Sequence, residues 1–287
     1  MERRKENLMW YYFKTIFLIG LLTSIFLFIG KLVAGQIGMY IALLIALIFN
    51  FISYYFSDKI VLSYYKAQEI KEGDIYQLVR EVAAKANIPM PKVYIINEDQ
   101  PNAFATGRNP QNSAVAITTG LINLLNYNEI RGVIAHEIAH IKNRDILIST
   151  IAAGIASAIS FIIDILQWTL FLGINRDEND NNLPILYYIP ILILGPIIAL
   201  IIQMAVSRTR EYLADETGAK IINDPISLAK ALEKLHYYVS NIPLSNQNMA
   251  TNHLFIVNPQ SILNLFSTHP PIEKRIEKLY KLANKKF

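Results

Sequence analysis

Cysteine is absent from this chain of 287 residues. Disulfide bonds and thiolate metal ligands are therefore excluded, and any metal site has to be built from imidazole and carboxylate groups. Charged residues are also scarce, at 17% of the sequence against roughly 25% in soluble domains. The net charge of +4 is modest and comes without a dense basic stripe, so the sequence does not predict a nucleic-acid partner.

Hydrophobic residues are correspondingly frequent: they make up 53% of the chain, and the mean hydropathy is +0.29. They concentrate in four apolar stretches, at residues 15–30, 36–56, 146–172 and 183–206. Such stretches suit bilayer-spanning helices, and Lys14 and Lys31 extend the reach of the short first stretch by snorkelling. A cleaved signal peptide is the alternative for the first stretch. The second stretch follows almost at once, which favours a transmembrane hairpin.

The distribution of basic residues predicts the orientation of these spans. Lysine and arginine are frequent before the first stretch and in two charged segments, residues 57–145 and 207–287. The link at residues 173–182 instead holds three acidic residues against one arginine. The positive-inside rule therefore places both termini and both charged segments on the cytoplasmic side of a plasma or inner membrane. The expected units are a transmembrane hairpin at 1–56, a cytoplasmic segment at 57–145, a second hairpin at 146–206 and a second cytoplasmic segment at 207–287.

The two charged segments carry the patterns of an α+β domain. Apolar positions recur at helical spacing over residues 74–87, and Lys92–Ile96 is rich in β-branched residues. Short strands are expected at 102–107 and 113–118, on either side of a hairpin loop. Further helices are expected at residues 126–143, 208–215, 226–239 and 272–283. The fold class is thus a mainly α-helical integral membrane protein, with four transmembrane helices and an α+β domain around a small sheet.

The pentapeptide His136-Glu137-Ile138-Ala139-His140 lies within the helix that begins at the predicted capping box of Asn126 and Glu129. Residues four apart share one face of an α-helix, so both imidazoles can reach one metal ion. Glu137 stands beside them as a general base for water at that metal. The alternative is a solvated helix with two surface histidines. The pattern favours a zinc site, with one ion per chain.

A catalytic zinc ion needs a third protein ligand. A histidine six residues after His140 would fall on Ile146, and a glutamate at the short spacing of thermolysin-like enzymes would fall near Ile159. Neither position holds a ligand. Glu211 stands out instead, because the third and fourth spans would return its helix to the motif. Asp215, one turn later on the same face, can fix the tautomer of a ligand histidine. The alternative for Glu211 is an exposed charge at the membrane exit.

Together, the pentapeptide and the stretch from Ser207 to Asp215 resemble the HtpX family of membrane zinc endopeptidases, which is related to the CAAX prenyl proteases. The resemblance covers nearly the whole chain and includes residues 102–107 and 266–271. It implies a zincin-like metalloprotease fold, with zinc held by His136, His140 and Glu211 and with Glu137 as the base. It also implies the turnover of damaged or misassembled membrane proteins, in protein quality control linked to stress.

The resemblance also assigns residues to substrate binding. In the family, a strand matching Asn102, Ala103, Phe104 and Ala105 lies by the cleft, where a substrate chain would add in extended form. His269 and Arg275 match positions that face the cleft and contact substrate or the oxyanion. A catalytic role is thus expected for His269, and a substrate-binding role for Arg275. The alternatives are a capping turn for His269 and a surface charge for Arg275.

Three other polar residues receive no role. His236 is expected to be packed or exposed on its helix, and not to be a ligand. A cleft role for His253 has no support in the pattern. Asp164 lies inside an apolar stretch, where ionisable groups usually face protein or water, and the sequence names no partner for it.

Other functions fit parts of the pattern. An intramembrane protease would bury the motif, but charges such as Arg131 and Lys142 flank it, so the site should lie outside the hydrocarbon. A prenyl-protein protease needs a larger chamber than four spans provide. A non-enzymatic metal-binding scaffold would be indifferent to loss of Glu137. The expected partners are unfolded or membrane protein substrates and the lipid bilayer; quality-control partners and the oligomeric state stay open.

Overall fold

The computed structural model describes residues 2–146, 208–241 and 270–284. Its helices are α1 (Glu2–Tyr64), α2 (Asp74–Ala86), α3 (Thr119–Leu124), α4 (Tyr127–Asn143), α5 (Arg208–Ile222), α6 (Pro225–Asn241) and α7 (Ile272–Ala283). Its strands are β1 (Gln68–Ile70), β2 (Lys92–Ile96), β3 (Ala103–Asn109) and β4 (Asn112–Thr118). The predicted helices of the charged segments and three predicted strands are confirmed. The short strand β1 was not predicted.

The four strands form one mixed sheet in the order β1-β2-β4-β3. Strand β2 pairs with β4 in parallel, and the other two pairings are antiparallel. Strand β3 therefore lies at the edge and pairs with β4 alone among the described strands. This arrangement leaves the outer side of β3 turned towards α4, which carries the histidine motif.

The main core lies between one face of the sheet and the helices α2, α4, α5, α6 and α7. Gly132, inside α4, shows how tightly these helices pack. A Cβ atom at this position would lie 2.7 Å from the backbone nitrogen of Leu228 in α6. The glycine is thus required for the approach of α6 to α4, which offsets its unfavourable helix propensity. The sequence alone could not name this partner helix.

The opposite face of the sheet is covered by the end of α1. A second apolar cluster forms there, from Val61, Leu62, Ile96, Phe104, Ala114 and Ala116. The ring of Tyr65, just after α1, lies 5.6 Å from the ring of Phe104 in β3. The edge strand is thus held between two layers, with Ala103 and Ala105 in the main core and Phe104 under α1.

Both N-terminal apolar stretches lie in α1. Gly35, between them, has a φ of 61°, a left-handed value at the position of the predicted turn. Among the residues that the structure describes, no helix combines the length and apolar character needed to cross a bilayer. The predicted third and fourth spans lie, from residue 147 onwards, outside the described residues. The four-span arrangement and the four predicted units therefore stay predictions.

Candidate active site

Helix α4 is fixed at both ends by its own side chains. At its start, Asn126 accepts a hydrogen bond from the N–H of Glu129 at 3.0 Å, and Glu129 accepts one from the N–H of Asn126 at 2.9 Å. The predicted capping box is thus confirmed. Glu129 also contacts Lys234 of α6 at 2.7 Å. At its end, Arg144 adopts a left-handed conformation with φ 62°, which turns the chain back towards the helix.

The three predicted ligands meet at one point. The Nε2 atoms of His136 and His140 lie 3.1 Å apart, and each lies 3.6 Å from a carboxylate oxygen of Glu211. Four ligands placed tetrahedrally at about 2.1 Å from zinc lie about 3.4 Å from one another. The observed separations match this spacing, so the three side chains are arranged to hold one metal ion. Each of the two charged segments of the sequence contributes to this site.

Carboxylates lie behind both histidines. Nδ1 of His140 lies 3.1 Å from both oxygens of Asp145, and Nδ1 of His136 lies 2.9 Å from Oδ1 of Asp215. The second contact is as short as a hydrogen bond, and both this contact and the negative charge of Asp215 raise the pKa of His136. A proton on each Nδ1 leaves the two Nε2 lone pairs facing each other, an arrangement that a cation between them stabilises.

The same carboxylates raise the proton affinity of the imidazoles. Burial alone lowers the pKa of His140, but Asp145 and Glu211 outweigh it and raise that pKa to about 10. Burial likewise lowers the pKa of His136, and Asp215 and Glu211 raise it above its usual value. A strongly basic imidazole is also a strong metal ligand, because both properties reflect the electron density on nitrogen.

Asp145 is a functional residue that was missed in the sequence. It follows the left-handed cap at Arg144 and lies five positions after His140, beyond the regular helical face. Only the turn at the helix end brings its carboxylate back to the ring. A carboxylate directly after a helix C-terminus near a ligand histidine is the signal that would have indicated it.

We expect Asp145→Asn to weaken zinc binding by about tenfold, within the range of 10–100-fold found for residues behind metal ligands. The amide keeps the size of the side chain but loses the charge that supports His140. Competition with a chelator measures the affinity. Asp224→Asn is the control, because Asp224 caps α6 at Ser227, outside the ligand group. Equal zinc affinities for Asp145→Asn and the native chain would show that Asp145 does not support the ligand.

Glu137 connects the metal ligands with the edge strand. Its side chain is buried, and Oε2 accepts a hydrogen bond from the N–H of Ala105 at 2.8 Å. Burial raises the pKa of Glu137, which suits a residue that takes up and returns a proton. A group bound to the outer edge of β3 would therefore lie beside the proposed base.

Arg275 lies behind the carboxylates of α5. Its Nε and Nη2 donate to the two oxygens of Asp215 at 2.9 and 2.7 Å, and Nη1 lies 3.5 Å from Glu211. Burial raises the pKa of Asp215, but Arg275 and His136 outweigh it and lower that pKa to about 2. Arg275 is only 1% exposed, so the surface-charge alternative is wrong. Its predicted contact with substrate stays a prediction.

Gly218 allows α5 to reach α4 at the metal ligands. A Cβ atom there would lie 2.9 Å from the backbone of both Ala135 and His136. Glu211, Asp215 and Gly218 lie on one face of α5, because residues three and four apart are helical neighbours. The glycine therefore determines how closely Glu211 approaches the two histidines.

We expect Gly218→Ala to separate α5 from α4, to lower stability by about 1–3 kcal/mol and to weaken zinc binding. Gly132→Ala is a matched control, because it overpacks the contact of α4 with α6 away from the ligands. Thermal unfolding should detect both changes, whereas chelator competition should detect only the change at Gly218. Unaltered zinc affinity in Gly218→Ala would contradict this role.

Other predicted residues are placed as follows. Asn102 and Ala103 lie at the start of the edge strand, and Asn102 donates its backbone N–H to Oγ1 of Thr118 at 2.8 Å. Phe104 points to the cluster under α1 and not to the metal ligands. His236 is half-buried and lies 3.5 Å from Glu273, outside the ligand group, which agrees with the prediction. Residues His269, His253 and Asp164 lie outside the described residues.

Comparisons with known proteins agree with this geometry. The sequence profile of Peptidase family M48 matches residues 69–283. The protease HtpX homolog of Syntrophobacter fumaroxidans is 51% identical over 275 residues, covering 93% of this chain and 98% of that protein. The protease HtpX homolog of Persephonella marina is 50% identical over 281 residues, covering 95% and 97%.

A similar fold is found in a solved structure, the crystal structure of S. mikatae Ste24p. It aligns with a TM-score of 0.50 and 20% sequence identity. The alignment covers 96% of this chain but 66% of that chain. At this identity the likeness concerns the fold.

Proposed function

The chain belongs to Peptidase family M48 and is a metalloendopeptidase, and we propose that it uses zinc to cleave damaged or misfolded membrane proteins at the cytoplasmic face of the membrane. The family assignment sets aside the alternative of a non-enzymatic scaffold. Relatives that are named as proteases are about 50% identical to this chain, and the alignments cover nearly their whole length. The proposal concerns the metal, the substrates and the location.

The position of Glu137 is the observation that carries this proposal. Its carboxylate lies next to two metal-ligand histidines in sequence and contacts the edge of β3 through Ala105. A peptide added to that edge would have its backbone beside both the metal ligands and the base. Edge strands bind extended peptides through main-chain hydrogen bonds, which fits an enzyme that cleaves many sequences.

The reaction we propose is metal-assisted peptide hydrolysis. His136, His140 and Glu211 would hold the zinc ion, which would supply Lewis acidity to the attacking water and to the scissile carbonyl. Glu137 takes the proton of the attacking water and passes it to the leaving amine. Burial of Glu137 supports both steps, because it makes the protonated carboxyl easier to form. His269, expected near the cleft, would assist at the oxyanion.

The donor set favours zinc over other abundant cations. Two imidazole nitrogens and one carboxylate are typical of catalytic zinc sites, which keep a fourth position open. Calcium and magnesium prefer oxygen ligands, and calcium takes more of them than this group offers. Asp145 and Asp215, behind the two histidines, complete the environment that such a site requires.

The membrane location rests on the sequence and on α1. We propose four spans, at residues 15–30, 36–56, 146–172 and 183–206, with the catalytic domain and both termini in the cytoplasm. Large apolar side chains of α1 are exposed to the surroundings, among them Ile37, Ile41, Leu44, Leu47, Ile48 and Phe51. Such a surface is costly in water and stable in hydrocarbon. The quality-control role follows from the resemblance to membrane proteases.

Zinc dependence provides the test of this function. We expect the full chain in detergent to lose casein hydrolysis after treatment with a chelator. One equivalent of zinc should restore it, whereas calcium and magnesium should not, because the site has two nitrogen ligands. Fluorescent casein and elemental analysis measure activity and bound metal. Equal recovery with calcium would contradict the zinc assignment, and activity that persists without metal would contradict the mechanism.

A further inference from the structure

Two contacts show how the edge strand lies against α1. The ring of Tyr65 packs on Phe104, and the guanidinium carbon of Arg108 lies 4.9 Å from the centre of the Tyr55 ring. Phe104 and Arg108 lie about 13 Å apart along the extended strand β3. Their partners Tyr65 and Tyr55 lie a similar distance apart, about 15 Å along a helical path. Strand β3 therefore runs alongside α1 in the opposite direction, and its C-terminal end approaches the apolar part of that helix.

The hydrogen-bond pattern shows which side of β3 is directed to the site. Thr118 donates its N–H to the carbonyl of Asn102 at 2.9 Å, so this pair is bonded across β3 and β4. Backbone groups alternate along a strand, and those of Ala103 and Ala105 therefore point away from β4. The N–H of Ala105 reaches Glu137 on that side. An extended chain on this edge would thus lie parallel to the axis of α1.

Aromatic and basic side chains cluster at one level of α1. Besides the contact of Arg108 with Tyr55, Nζ of Lys59 lies 5.2 Å from the centre of the Phe56 ring. The rings of Tyr55 and Phe56 come at the end of the apolar stretch 36–56, and the ring of Phe51 lies 4.6 Å from that of Tyr55 in a tilted arrangement. Aromatic rings and long cationic side chains are favoured at the bilayer interface, where an apolar body meets a charged headgroup region.

We propose that the contact of Arg108 with Tyr55 holds the β3–β4 hairpin tip, residues 108–112, at the level of the lipid headgroups, so that β3 sets the distance from the bilayer to the cleaved bond. This inference rests on the proposed membrane protease function and on the span at 36–56. The substrate is an extended segment continuous with a membrane span. From Asn109 to Ala105 the strand covers about 13 Å, so the cleaved bond lies about four residues from the span's end.

The experiment uses tethered substrates in vesicles of phosphatidylethanolamine and phosphatidylglycerol. Each substrate has one membrane span, a Gly/Ser spacer and the same cleavable sequence, with spacers of about two, four and eight residues. The full chain should cut the cleavable sequence of the substrates with four and eight spacer residues, and in the four-residue substrate at a single bond directly after the spacer, located by mass spectrometry. It should cut the shortest at least about tenfold more slowly, because an extended spacer of that length cannot reach Glu137.

The variants separate this distance effect from general activity. In vesicles, the cut should spread over two or more residues in Arg108→Ala and, on the helix side, in Tyr55→Leu. In detergent, the rate of casein hydrolysis should be unchanged in both variants. Lys278→Ala is the matched control, because Lys278 lies over the ring of Tyr212, far from α1 in sequence. Equal cleavage of all spacers, or a single unchanged cut in both variants, would overturn the inference. Failure of the native chain to hydrolyse casein would instead overturn the proposed function.

Discussion

Glu137→Gln is expected to lower kcat for casein hydrolysis by about 10²–10⁴-fold while one zinc ion stays bound. Glutamine has nearly the size of glutamate, and its amide oxygen can still accept the hydrogen bond from Ala105. It cannot take the proton of the attacking water, so the chemical step loses its base. The proposed metal ligands His136, His140 and Glu211 are unaltered, which is why metal content should not change. Steady-state kinetics and elemental analysis on the same preparation measure both quantities.

The control for this variant lies on the same helix. Glu129→Gln also removes a buried carboxylate of α4, but its contacts are Asn126 and Lys234. It should lower the thermal unfolding temperature and leave kcat within about twofold, since the loss of a helix cap acts on stability. A Glu137→Gln protein that digested casein at the native rate would contradict the assignment of the base. Loss of zinc from that variant would show that Glu137 supports the metal as well.

The three candidate metal ligands could be named from the sequence because metal-binding chemistry restricts residue type and spacing together. Two histidines one helical turn apart require one face, and the absence of cysteine leaves few candidates for a third ligand. Glu211 lies 71 positions after His140, yet its place after an apolar stretch indicated that its helix returns to the motif. The structure places its oxygens 3.6 Å from both imidazoles.

The residues that escaped prediction depend on packing between elements distant in sequence. Gly218 is required because α5 crosses α4 in direct backbone contact, and no local pattern records that crossing. Phe104 belongs to the predicted substrate strand, but alternation along β3 turns its ring towards Tyr65. Asp145 reaches His140 only through the left-handed turn at Arg144. Periodicity predicts the face of a single element, whereas these contacts require the relative position of two.

Arg275→Met is expected to weaken zinc binding by about 10–100-fold, because Asp215 and Glu211 lose the cation that neutralises and orients them. Removing one member of a buried ion pair also costs about 3–5 kcal/mol of stability. Methionine keeps much of the apolar stem, so the loss of charge dominates. The guanidinium of Arg275, in α7, contacts the carboxylates of both Asp215 and Glu211 in α5. Docking of α7 therefore completes the environment of the third ligand.

Leu279→Ala separates the effect of charge from that of helix docking. Leu279 lies one turn after Arg275 in α7, and both residues are only 1% exposed. Its truncation should cost about 2–5 kcal/mol through the cavity it leaves, a loss similar to that of Arg275→Met. Zinc affinity, measured by chelator competition well below the unfolding temperature, should fall only in Arg275→Met. If both variants lost zinc to the same degree, α7 would act through packing alone; if neither did, Arg275 would not orient the ligand. A role for the guanidinium at Asp215 further predicts that Arg275→Lys restores part of the zinc affinity, since lysine keeps the charge but not the paired donors.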